Sequence, residues 1–337
     1  MFTVTRECHL SMSKQLDLDF KPAWWMRNRH VQTILPRAFR PRLKADVNFE
    51  HLTTPDDDFL ELAWANNGNT HAPLVVVLHG LEGNINSFYA KGMLRALTRS
   101  GLDAVLMHFR NCSRDVNKRP RAYHSGETQD LSFLIKTLSE RFPGRALFAV
   151  GFSLGGNVLA KYLGEKGPAS RLAGAAVISA PYHLSSSCQV IRKSCFKLYQ
   201  KYLLDRMKHS FTRKLDQIKN TIDISASELS QINDLWQFDD RVTAPLHGFK
   251  GAEDYYAQAS SQPYLSLIET PTLLIHAEDD PMLSTQAIPL ETQTSAQVKL
   301  AVSSKGGHVG FIAGNNPLKP IYWLEKVVPE YIHSLIK

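Results

Sequence analysis

Ser153 lies inside Gly151-Phe152-Ser153-Leu154-Gly155. A serine between two glycines at this spacing can serve as an activated nucleophile. The apolar run Ala146 to Val150 precedes it and reads as a buried strand. After it, Leu154, Val158, Leu159 and Tyr162 recur at helical spacing. A sharp strand-to-helix turn has no room for side chains at 151 and 155, and it strains the serine backbone. Such a turn lifts Ser153 Oγ above the sheet. The helix N-terminus behind it offers free N–H groups to a developing negative charge.

A serine hydroxyl is a poor nucleophile near neutral pH, so a base and an orienting acid must reach it. Where a serine turn of this kind crowns a sheet, the acid and then the histidine follow in chain order, on loops after later strands. Ala277-Glu278-Asp279-Asp280-Pro281 follows the apolar run Leu273 to His276. Ser303-Ser-Lys-Gly-Gly-His308 follows the run Val298 to Val302. His308 is the expected general base. Asp280, immediately before Pro281, is the favoured acid, with Asp279 next and Glu278 third. His79 and His276 end strands and suit local hydrogen bonding; His124 and His183 fall outside the required order. The oxyanion donors expected are the Leu154 amide and the Leu81 amide in His79-Gly80-Leu81.

Positioning these groups takes a sheet. Val47 to Thr53 and Phe59 to Ala65 flank Pro55-Asp-Asp-Asp58 and read as an antiparallel hairpin. Leu74 to Leu78, Asp103 to Phe109, Ala146 to Val150 and Ala173 to Ala180 read as strands. They alternate with helices near Ser87 to Arg99 and Glu127 to Arg141. This alternation implies an α/β class with a mostly parallel, doubly wound sheet. It stops at Pro181, and a helical cap is expected over about 182–265. Ile191, Cys195, Leu198 and Tyr202, then Met207, Phe211, Leu215 and Ile218, form its expected apolar seam. Arg192, Lys193, Lys197, Lys201, Arg206, Lys208, Arg213, Lys214 and Lys219 form its expected solvated basic face. Attraction of that face to anionic lipid is the sharper reading, giving peripheral membrane contact. The sheet resumes at Pro271 to His276 and Val298 to Val302, and a final helix is expected from about Ile321 to Ile336.

Residues 1–20 read as a leader and 21–337 as the catalytic domain. In Pro22 to Pro36 the expected arrangement buries Trp24 and Trp25 and leaves Arg27 and Arg29 in water. A place near the site for Asn28 or His30 is the alternative. The 337 residues carry a net charge of +7, with 43% hydrophobic and 21% charged residues, a globular balance. No zinc-type Cys/His spacing and no basic stripe interleaved with aromatics is present, which argues against a metal or nucleic acid. Leu74 to Leu78 is too short to span a bilayer. The N-terminus lacks the apolar core of a signal peptide, and Cys8, Cys112, Cys188 and Cys195 suit reduced thiols, so a cytoplasmic location is expected.

Together these residues resemble the α/β-hydrolase superfamily, and more narrowly its YheT-like branch. The resemblance runs from about Phe20. It rests on Arg27-Asn-Arg-His-Val-Gln-Thr33, His79-Gly-Leu-Glu-Gly83, His124-Ser-Gly-Glu-Thr128, Gly151-Phe-Ser-Leu-Gly-Gly-Asn157 and Phe238 to Phe249. The loops at Ala277–Asp280 and His308 complete it. The resemblance implies an α/β-hydrolase fold and a Ser–Asp–His charge relay, carried here onto Ser153, Asp280 and His308. It also implies hydrolysis of carboxylic esters, including acylglycerols and other lipid-like esters, without a cofactor. Transfer of the acyl group to an alcohol is the alternative, phospholipid cleavage a further option that related eukaryotic proteins suggest, and a non-catalytic binding protein a third reading.

Overall fold

Eight strands form one sheet in the computed structural model, which describes residues 18–40, 43–193 and 197–336. A short helix, α1 (Arg29–Ile34), precedes them. Then come β1 (Asn48–Thr53), β2 (Phe59–Ala65), β3 (Leu74–Leu78), α2 (Phe88–Arg99), β4 (Asp103–Met107) and α3 (Gln129–Arg141). Next are β5 (Leu147–Phe152), α4 (Leu154–Lys166) and β6 (Gly174–Ile178). Helices α5 (Leu184–Lys193) and α6 (Leu198–Thr212), with shorter ones after them, lead to β7 (Thr272–Ala277) and β8 (Val298–Ser303). Of the leader expected over 1–20, positions 1–17 lie outside the described residues, as does Cys195 of the seam.

The strand order is β1-β2-β4-β3-β5-β6-β7-β8. The pairs β1–β2 and β2–β4 are antiparallel, and the rest are parallel. Period-two alternation explains why β3 tolerates five aliphatic residues in a row. Leu74, Val76 and Leu78 face α3 and α4, packing with Leu134, Leu138, Val158 and Leu159. Val75 and Val77 face the other layer, built from α2 and a C-terminal helix (Leu324–Leu335). Each fully buried side chain of this size contributes about 1.5–3 kcal/mol. The crossovers send the chain in opposite directions from β3, to β4 on one side and β5 on the other. In open α/β sheets the crevice beyond such a reversal, at the strands' C-terminal ends, is where ligands sit.

The chain between β6 and β7 is helical and gathers its own apolar cluster, including Leu184, Ile191, Tyr199, Leu203, Met207, Phe211 and Phe238. Three expectations fail here. Leu198 and Tyr202 are exposed, and Tyr199, Leu203 and Leu204 take the inner face of α6 instead. Only the first turns of α6 depart from the expected seam by about one residue; Met207 and Phe211 are buried as expected. Lys214 is not part of a solvated face; it is buried, and its Nζ donates to the Arg121 carbonyl at 2.8 Å. The remaining cations are largely held locally, as in Arg192–Asp234 and Lys208 to the Ser230 carbonyl.

At the N-terminus Trp24 is 62% exposed, against the expected burial, and Ala23 and Met26 are buried in its place. The Ala23 amide donates to the Ile312 carbonyl, so this segment runs along the ribbon formed by Ile312–Ala313 and Ile321–Tyr322. That ribbon also moves the start of the final helix from the expected Ile321 to Leu324. Among the described residues no helix is long and apolar enough to cross a membrane.

Candidate active site

Ser153 occupies the turn between β5 and α4 with φ 52° and ψ −119°, a left-handed strain that a non-glycine residue rarely adopts. The surroundings fix it. Its amide donates to the Ile178 carbonyl at 2.8 Å, and its carbonyl accepts from Asn157 at 3.0 Å. A Cβ on Gly151 would stand 2.5 Å from the Gly155 carbonyl oxygen, so strand and helix meet as closely as the spacing demands.

His308 stands on the loop after β8, where Gly306 and Gly307 turn the chain. Its Nε2 lies 2.9 Å from Ser153 Oγ, and its Nδ1 lies 2.7 Å from Asp280 Oδ2. Asp280 is buried on the loop after β7, and its Oδ1 accepts the Met282 amide at 2.8 Å. Burial pushes the Asp280 pKa up. The charge and hydrogen bond of His308, with His276 and the Met282 amide, outweigh that and hold the carboxyl below its usual range. An ionised carboxylate only accepts, so His308 Nδ1 carries the proton and Nε2 is left to accept from the serine hydroxyl.

The other two carboxylates are placed elsewhere. Asp279 Oδ1 accepts the Gly307 amide at 2.9 Å and so shapes the histidine loop. Glu278 is exposed. The remaining histidines are engaged or buried away from the serine. His79 is fully buried with its pKa pushed down to about 3 by burial; Nδ1 donates to the Gly80 carbonyl and Nε2 accepts the Phe109 amide. It therefore sets the turn that carries Leu81. Burial likewise lowers His276 to about 4 and His124 to about 3. His183 accepts the Ser186 amide at the start of α5.

The loop after β3 lies directly against the serine: a Cβ on Gly80 would stand 3.2 Å from Ser153 Cβ. Three of its amides are taken. Gly80 N–H donates to Tyr89 Oη, Glu82 N–H to Tyr123 Oη, and Gly83 N–H to the Gly80 carbonyl. The Leu81 amide, between them, has no backbone acceptor among the described residues, and Leu154 opens α4, where the first N–H groups lack an intrahelical partner. Two free donors thus sit beside the hydroxyl.

Several residues that hold the site escaped the sequence reading. Thr33 Oγ1 accepts the His308 amide at 2.9 Å, and Ser179 Oγ accepts that of Val309 at 3.2 Å. Gln32 is fully buried, donating to the Ile312 carbonyl and accepting its amide. The helix α1 sits so close to the histidine loop that a Cβ on Gly310 would stand 2.0 Å from the Gln32 carbonyl oxygen. Asn28 is the N-cap of α1, accepting the His30 and Val31 amides. His30 Nδ1 meets Tyr199 Oη of α6 at 2.9 Å, so α1 ties the histidine loop to the helices above it. Asn157, fully buried, bonds the Ser125 and Ala259 carbonyls and the Ser261 amide. Asn28 and His30 answer to the alternative raised above for their segment. For Gln32, Thr33 and Asn157 the only sequence signal was their place in the Arg27–Thr33 and Gly151–Asn157 motifs, and Ser179 had none beyond its strand.

A family described as alpha/beta hydrolase fold matches residues 73–314. The protein named "Putative esterase YheT" of Escherichia coli (strain K12) is 40% identical over 321 residues, covering 95% of this chain and 94% of its own. The monoacylglycerol lipase of Saccharomyces cerevisiae is 30% identical over 292 residues, covering 85% of this chain and 63% of its own. Among solved structures, the esterase Pf2001 of Pyrococcus furiosus superposes with a TM-score of 0.55 at 16% identity. That likeness covers 88% of this chain and 94% of the other, and it is one of fold.

Proposed function

Since the chain belongs to the alpha/beta-hydrolase family, in its YheT-like branch, we propose that it is a serine esterase acting through an acyl-enzyme. The observation that carries this reading is the contact of Ser153 Oγ with His308 Nε2 at 2.9 Å, backed by Asp280. His308 takes the hydroxyl proton as Oγ attacks an ester carbonyl, and Asp280 stabilises the imidazolium. The oxyanion meets the Leu81 and Leu154 amides, each such donor being worth about 10²–10³ in rate. The imidazolium returns its proton to the leaving alcohol, and water, activated by the same histidine, releases the acid. Leu81, on the oxyanion loop, and Met282, two residues after Asp280, pack on the apolar cluster of the helices above. An acyl chain would meet apolar surface there, in keeping with lipid-like esters such as acylglycerols.

A fluorophosphonate probe tests the reading. It should label one residue, Ser153, located by mass spectrometry of the digested protein, and p-nitrophenyl esters should slow the labelling. Labelling elsewhere, or none, overturns the assignment.

Thr33 should matter out of proportion to its distance from the ester. Thr33→Val keeps the shape and strips the oxygen that holds the His308 amide. A misplacement of about 1 Å can cost on the order of 10² in rate, and we expect kcat to fall about tenfold or more. Steady-state kinetics beside a thermal melt will show whether the loss exceeds any loss of folded protein.

A further inference from the structure

Two guanidinium groups from separate elements converge on one neutral oxygen. Arg37 ends the short turn Leu35–Arg37 that continues α1, and its Nη1 donates to Tyr202 Oη at 3.3 Å. Arg206, one turn after Tyr202 on α6, donates from its Nη1 to the same oxygen at 3.4 Å. A phenol oxygen carries no charge to balance them. The acid beside Arg206 in sequence, Asp205, pairs with Lys201 at 2.9 Å. The Glu82 carboxyl turns to Ser210 and Tyr123, and burial pushes its pKa up. Neither arginine has a carboxylate partner among the described residues. Two like charges held together repel, and an anion bridging them reverses the sign of that interaction.

The pair sits at the rim of the serine site. Arg206 Nη2 donates to the Glu82 carbonyl at 2.7 Å, and Glu82 follows Leu81 directly, one Cα step of about 3.8 Å. On the other side, Arg37 belongs to the segment whose Thr33 holds the His308 amide. Arg206 thus stands against the oxyanion loop, and Arg37, sharing Tyr202 Oη with it, follows in the chain the residue that holds the histidine loop. Ile34 and Leu35 beside Arg37, and Leu198 one turn before Tyr202, are exposed aliphatic residues on the same elements. Positive charge beside exposed alkyl surface suits an amphiphile. Two guanidinium forks match the oxygens of a phosphate better than a single ammonium would.

We propose that Arg37 and Arg206 form a subsite for a phosphate group carried by the ester substrate, so that the preferred substrates are anionic amphiphilic esters. This rests on the esterase reading of Ser153. The test uses hexyl phosphate and hexanol as competitors of p-nitrophenyl butyrate. In the native protein the inhibition constant of hexyl phosphate should lie about tenfold or more below that of hexanol. Arg37→Gln and Arg206→Gln should each shrink that ratio severalfold, whereas Lys219→Gln, which removes an exposed charge paired with Asp216, should leave it. Equal constants in the native protein, or an equal change in Lys219→Gln, overturn the subsite. Sedimentation with phosphatidylglycerol vesicles separates the two sources of phosphate. If Arg37→Gln weakens vesicle binding but leaves the inhibition ratio, the cations serve a membrane surface and the subsite is wrong. Full turnover in Ser153→Ala strikes the esterase reading; loss of turnover there with an unchanged ratio in both arginine variants strikes the subsite alone.

Discussion

Ser153→Ala is expected to lower kcat for p-nitrophenyl esters by about 10⁵–10⁶, and His308→Ala by about as much. The two side chains act as one unit. Without the hydroxyl, His308 has no proton to take; without the imidazole, the hydroxyl stays protonated and weakly nucleophilic. The double variant should therefore be no slower than either single one. Asp280→Asn should cost less, about 10⁴, because the amide can present its NH₂ to His308 Nδ1 and turn the ring to the wrong tautomer. The residual rate in all of these comes from the Leu81 and Leu154 amides, which the substitutions leave in place. Kinetics with active-site titration of the preparation measures this. A double variant whose losses multiply, or Ser153→Ala retaining even a hundredth of the native rate, contradicts a single proton pathway. The fold should survive, since alanine fills less space and the turn is held by the Ile178 and Asn157 backbone bonds rather than by the hydroxyl.

The parts of this machinery that were legible in the sequence are those with local causes. The run Leu74 to Leu78 and its relatives declare buried strands through their composition, and the glycines at 151 and 155 declare a close crossing. His308 was legible because two glycines before it leave no local reason for an imidazole. The choice of Asp280 over Asp279 is a different matter. Both lie in one turn, and only the fold shows Asp279 spent on the Gly307 amide while Asp280 meets His308. The supports were not legible, because their partners are far away in the chain: Thr33 serves a residue 275 positions later. The same holds for Asp56, Asp58 and Asp130, which surround the buried Arg110 guanidinium. In the sequence the first two look like an ordinary polar turn. The expected seam failed over the first turns of α6 for another reason. Leu198 and Tyr202 fit a helical stripe as well as Tyr199 and Leu203 do, and pattern alone cannot tell a face packed on a neighbour from one left at the rim of a site.

Gly155→Ala should be a severely damaging single methyl at the root of the serine turn. A Cβ at 155 would stand 2.5 Å from the His79 carbonyl oxygen and 2.8 Å from the carbonyl carbon and oxygen of Leu78. All three are backbone atoms, at the end of β3 and the root of the oxyanion loop, so no rotamer change relieves the contact. Either α4 lifts from the sheet or the end of β3 moves, in the centre of a core whose neighbours are fully buried. Overpacking of well-packed interiors costs about 1–3 kcal/mol, and more where backbone must shift. We expect at least about 3 kcal/mol, a fall in melting temperature of roughly 4 °C or more for a chain of 337 residues. Gly144→Ala provides the scale. Its φ of 84° is left-handed, but a Cβ there meets nothing within 4 Å, so it should cost only about 1–2 kcal/mol of backbone strain. The two variants also differ in chemistry. Any shift of His79 drags Leu81 from its place beside Ser153, so folded Gly155→Ala protein should lose about 10²–10³ in kcat, while Gly144→Ala keeps the native rate. Should Gly155→Ala melt no lower than Gly144→Ala, the helix does not cross the strand closely enough to exclude a methyl, and the strained serine turn loses its support.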